Sequence, residues 1–121
     1  MEQYPMVYRS AIIMAPMEPF LNWINRVSPS EILTLTDVQK DSNVYLIPDY
    51  DLPISEEDLE KEIKKYIRKH YKGIFYNQLS EWYLDEKTYP EMTYEIFNEW
   101  FKVSIHTIIF DMVNKPIKKE G

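Results

Sequence analysis

The chain has 121 residues, 45% of them hydrophobic and 15% aromatic, with a formal net charge of −6, which is enough apolar surface for a single domain with one core. It has no cysteine and only two glycines, Gly73 and Gly121, which excludes disulfides, thiolate nucleophiles, cysteine zinc sites and glycine-rich phosphate loops. No apolar run approaches the roughly 18 residues of a membrane span, and the acidic balance argues against general nucleic-acid binding, which needs a cationic footprint.

Residues 8–15 read as the first strand, apolar on both faces at its centre, Ala11-Ile12-Ile13-Met14, as a buried strand is. Pro19 suits the first turn of a helix, whose inner face is Phe20, Trp23, Ile24 and Val27. Thr36 is expected to cap a short turn over residues 37–40. Asn43–Ile47 is the second strand, stopped by Pro48. Ser55 is the expected N-cap of a long helix with Glu56, Glu57 and Asp58 in its first turn, where the helix dipole favours negative charge. Its inward stripe is Leu59, Ile63, Tyr66, Ile67, His70 and Ile74, and Gly73 is expected to end it. A further helix is predicted over 74–84, another over 94–101 capped by Thr93, and a third strand over 102–112. The element order is β-α-β-α-α-α-β. This predicts an α+β fold, a three-stranded mixed or antiparallel sheet packed by about four helices, with the first or third strand central. The whole of 1–121 is one domain, with an ordered core over about 5–113 and a polar tail over 114–121.

Several stretches, Pro19-Phe20-Leu21-x-Trp23, Val44-Tyr45-Leu46-Ile47-Pro48, Glu81-Trp82-Tyr83-x-Asp85 and Phe97-x-x-Trp100-Phe101 followed by His106 and Asp111, resemble a family of small uncharacterised bacterial proteins, a domain of unknown function. The resemblance spans about residues 8–111. It implies a soluble bacterial domain and carries no catalytic residue with it.

Four features are candidate sites. Alternation along the third strand puts Ser104, His106, Ile108 and Phe110 on one face. His106, flanked by apolar residues, is expected to be buried and is the one candidate general base. Asp49 and Asp51, one residue apart, could share a hard cation. Lys61, Lys64, Lys65, Arg68, Lys69 and Lys72 recur at helical spacing and form a basic stripe opposite the apolar one; an ordinary solvated helix face has the same pattern. Of the aromatics, Trp82 and Tyr83, followed by Asp85, are the surface candidates, since adjacent aromatics on a helix cannot both face inward.

The residues present favour a non-enzymatic protein-interaction or regulatory module of the bacterial cytosol, with no cofactor, a protein partner and no membrane. The absence of a leader sequence is the basis for the cytoplasmic assignment. The interaction residues expected are Trp82, Tyr83, Asp85, Lys61, Lys65, Arg68 and Lys72. The alternatives are a small hydrolase-like or metal-assisted enzyme using His106 and carboxylates, and a nucleic-acid accessory protein using the basic face. Residues 1–60 hold the acidic excess and residues 61–121 are slightly basic. A homodimer is therefore a further expectation, pairing the stripe of one copy with Asp49, Asp51, Glu56 and Glu57 of another.

Overall fold

The computed structural model describes residues 3–50 and 55–121. Strands β1 (Ser10–Pro16), β2 (Asn43–Ile47) and β3 (Phe101–His106) form one antiparallel sheet in the order β2-β1-β3. Around it lie α1 (Glu18–Val27), α2 (Leu35–Gln39), α3 (Glu56–Ser80), a 3-10 turn (Glu86–Thr88) and α4 (Tyr94–Trp100). The fold is α+β, and the most apolar strand, β1, is central.

One face of the sheet is covered. Ile12 and Met14 of β1, Ile47 of β2 and Phe101 of β3 pack with Phe20, Trp23 and Ile24 of α1, Val38 of α2, Ile63, Ile67, Phe75 and Leu79 of α3, and Phe97 of α4. Pro19 occupies the first turn of α1 as expected. Helix α2 begins two residues earlier than expected. Thr34, not Thr36, is its N-cap: Thr34 Oγ1 accepts from Asp37 N–H, and Asp37 accepts in return from Thr34 N–H at 2.8 Å. This reciprocal pairing closes two unsatisfied donors at once, and it holds the Asp37 carboxyl below its ordinary pKa.

The largest departure from expectation is α3. It starts where Ser55 accepts from Asp58 N–H, but it runs on through Gly73 for 25 residues, about 38 Å at 1.5 Å per residue. The predicted break fails because the apolar stripe does not break: Ile63, Ile67, Ile74, Phe75, Gln78 and Leu79 are all buried along it. Burial of that stripe outweighs the cost of roughly 1 kcal/mol for a glycine inside a helix. His70, expected on the inward stripe, is exposed. Helix α4 passes into β3 with no loop, because Phe101 adopts extended angles directly after Trp100. Strand β3 then ends at His106, short of the predicted residue 112. Beyond it the chain continues alongside residues 5–7 through a Met6–Phe110 bridge and a Val7 N–H bond to the Ile109 carbonyl. The predicted tail, 114–121, is exposed and has no helix or strand.

A Cβ added at Gly73 meets no atom within 4 Å. Gly73→Ala is therefore expected to raise stability by about 0.5–1 kcal/mol through helix propensity. Ser55→Ala should lower it by about 1 kcal/mol through loss of the cap. Urea unfolding of the two variants checks both signs; a destabilised Gly73→Ala protein would contradict a continuous α3.

Candidate interaction surfaces

The helices cover one face of the sheet and leave the other open. Strand pairing places Ala11 between Leu46 and His106, and Ile13 between Val44 and Ser104. These side chains share the face opposite Ile12 and Met14, because successive residues of a strand alternate. None of them belongs to the core cluster. Val44 is 58% exposed and Leu46 48% exposed; in the segments flanking β1 and β3, Tyr8, Met6, Ile108 and Phe110 are exposed as well. Ala11 is buried on this face, between its neighbours on β2 and β3.

The edge of β3 is a second surface. The Met17 N–H bond to the Trp100 carbonyl at 2.8 Å fixes the phase of the β1–β3 ladder, since directly opposed residues alternate between bonded and non-bonded pairs. Lys102, Ser104 and His106 turn their backbone groups toward β1. Val103 and Ile105, opposite Met14 and Ile12, turn theirs to the open edge. Beside that edge lies a groove of about 760 Å³, with Leu59, Ile67, Tyr94, Val103 and Ile105 among its lining and Glu56, Glu60, Lys64, Asn98 and Thr107 as its polar members. Lys64 Nζ lies 2.8 Å from Glu60 Oε1; the pair lowers the carboxyl pKa and raises that of the ammonium. The matching groove along the other edge, where His70 lies beside Tyr66, is smaller, about 250 Å³.

Between α3 and β2 is a polar clasp. Gln78 is 2% exposed, and its Oε1 accepts from Tyr45 OH at 2.6 Å and Asn43 Nδ2 at 2.8 Å. Asn77 Nδ2 donates to the Tyr45 oxygen at 2.7 Å, and Asn43 also donates to Glu81. Burial pushes the Tyr45 phenol above its ordinary pKa, against the opposing effect of its hydrogen bonds.

The expected site residues fall in different places. His106 is exposed, not buried, and β3 is an edge strand. Its alternation was legible, but the face it shares with Ser104 is the one no helix covers. Its Nε2 lies 3.1 Å from Ser104 Oγ, and among the described residues no carboxylate orients the imidazole. Asp49 is exposed and Asp51 lies outside the described residues. Among the described residues no three His, Asp or Glu side chains are close enough to hold a metal ion. In the basic stripe, Lys61 pairs with Glu57 at 3.6 Å, Lys64 with Glu60, and the Arg68 guanidinium sits 4.8 Å from the Tyr94 ring centre. Lys65 and Lys72 are exposed. Trp82 is 39% exposed but packs edge-on against Phe20. Tyr83 packs against Trp23 and accepts from Tyr89 OH through its carbonyl. Asp85 caps the 3-10 turn by accepting from Lys87 N–H. This aromatic segment is largely a structural hook. Val44, Leu46 and the open edge of β3 are the features sequence reasoning missed. Their signal was the run Val44-Tyr45-Leu46-Ile47, whose alternate members can be told apart only once all the helices are known to lie on one side.

No protein-family model, curated protein or solved structure matches the chain.

Because the Tyr45 phenol titrates above its ordinary value of about 10, the folded protein retains its proton at a pH where the unfolded chain has lost it. The stability this contributes is complete below about pH 10 and falls as pH rises through the folded-state value. Tyr45→Phe should cost about 1 kcal/mol near neutral pH and flatten the alkaline loss of stability. Unfolding curves at pH 8 and above pH 10 check this; parallel wild-type and variant profiles would count against it.

Proposed function

We propose that this chain is a small protein-interaction module whose contact surface is the uncovered face of its sheet. The supporting observation is the exposure of Val44 and Leu46 on β2, beside the central-strand residues Ile13 and Ala11 on the same uncovered face. Apolar side chains left exposed side by side on a sheet face are a feature of association surfaces. Lys102, Ser104 and His106 line its β3 side and supply a polar margin. An enzymatic reading would need His106 to meet a carboxylate or nucleophile in a cleft, whereas it stands on an open face beside Ser104. A nucleic-acid reading would need a broad cationic footprint, whereas the chain carries a net charge of −6 and Lys61 and Lys64 of the stripe are paired with acids on their own helix.

The test replaces Leu46 and Val44 with Lys. Both side chains are about half exposed, so folding should survive with the thermal midpoint lowered by no more than a few degrees. In affinity capture from the native host, proteins retained by the wild type should be lost with the double variant. Identical recoveries from wild type and variant would overturn the sheet face as the contact surface.

A further inference from the structure

The geometry points to β3 as the receptor for an extended protein segment, which would add as a fourth strand and set alternate side chains in the α3–α4 groove. This rests on the interaction-module reading but uses a different surface from the open face.

Three observations specify the occupant. First, the edge-facing backbone groups of Val103 and Ile105 have no partner among the described residues, and the hydrogen-bonding chemistry of a strand edge is met by another strand. Of the usual guards β3 carries Lys102 on its uncovered face, but it contains no proline, and the inward positions Val103 and Ile105 carry no charge. Second, the groove below the edge has the size of one row of side chains. Its roughly 760 Å³ lies within the range of ligand clefts, about 300–1,000 Å³. The β2 edge, with about 250 Å³ beside it, has far less room.

Third, the groove is electrically uneven along its length. Its α3 wall runs from Glu56 in the first turn, past the Glu60–Lys64 ion pair, to Ile67, and Arg68 lies just beyond, over the Tyr94 ring. The segment that fits therefore has aliphatic or aromatic residues at alternate positions and a basic residue at the end that meets the first turn of α3. Leu59, Ile67 and Tyr94 receive the apolar side chains, and main-chain bonds to Val103 and Ile105 fix the register.

The probe is a displayed library of random heptapeptides selected against the full chain, followed by amide hydrogen exchange of the protein alone and with an enriched peptide. The expected result is enrichment of alternating apolar sequences with a terminal Lys or Arg, and at least tenfold slower exchange at the Val103 and Ile105 amides once peptide is bound. Glu56→Lys combined with Glu60→Lys should weaken that peptide about fivefold, the scale of two solvent-exposed charge contacts. No enriched sequence, or binders that leave the two amides unprotected, would overturn the inference. So would protection that rises with protein concentration alone and accompanies a doubled mass in light scattering, which would assign the edge to a second copy. Because Val44 and Leu46 take no part in this edge, the Lys variants of the open face leave peptide binding unchanged. Failure here and failure of the sheet-face reading are thus separately visible.

Discussion

Among the described residues, β1 alone is hydrogen-bonded along both edges, and it carries apolar side chains on both faces. Only one of those faces meets helices. Ile12 and Met14 are fully buried beneath them, whereas Ala11 and Ile13 are flanked only by residues of β2 and β3. A strand paired on both sides has no free backbone groups to offer, so whatever openness the sheet has is displaced outward, to its uncovered face and to its two edges. The central strand thus decides where the molecule can make contacts before any particular surface residue does.

The helical layer is locked by polar groups that burial obliges to pair. The Trp23 indole is wholly buried, and its Nε1 donates to the Thr88 carbonyl at 3.0 Å, tying α1 to the 3-10 turn 65 residues away. Its ring meets Phe20, Tyr83, Tyr89 and Trp100 at centroid distances between 5.5 and 6.5 Å, in tilted or edge-on geometries that aromatic quadrupoles favour. At the other side of the sheet the Gln78 clasp ties α3 to β2. Gln39 Nε2 reaches the Pro16 carbonyl at 2.8 Å, fastening α2 to the end of β1. Each of these bonds is worth only about 1 kcal/mol net, but each leaves a costly buried orphan if broken. They orient the helices on one face rather than merely gathering them there.

How much of this was legible follows from the range of the forces involved. Asn43–Ile47 came out to the residue because β-branched and aromatic residues followed by proline are local signals. The caps Ser55 and Thr93 did so for the same reason. Gly73 misled because a glycine near basic residues is a local stop signal, while the stripe that overrides it is read only across the whole helix and its tertiary partners. His106 misled for a related reason. Apolar neighbours in sequence imply burial only if both faces of the strand are covered, and coverage is set by where four helices pack. The open face and the β3 edge depend on strand order and on ladder phase, neither of which any single segment encodes.

The charge pattern takes on a different meaning once the fold is known. In sequence the basic stripe of α3 looks like a surface awaiting an anion, and its acidic first turn like ordinary dipole complementarity. In three dimensions Lys61 and Lys64 answer acids one turn earlier on the same helix, and Arg68 rests on Tyr94. Such exposed pairs contribute little stability, but they lower the net field of the stripe without covering its apolar neighbours. The first turn of α3, in contrast, is placed at one end of the groove along β3, where its charge bears on whatever lies there. A helix dipole that favours acids at this position for folding thereby leaves an acidic end on a cleft whose floor is aliphatic and aromatic. Local helix chemistry and the selectivity of a neighbouring surface are set by the same few carboxylates.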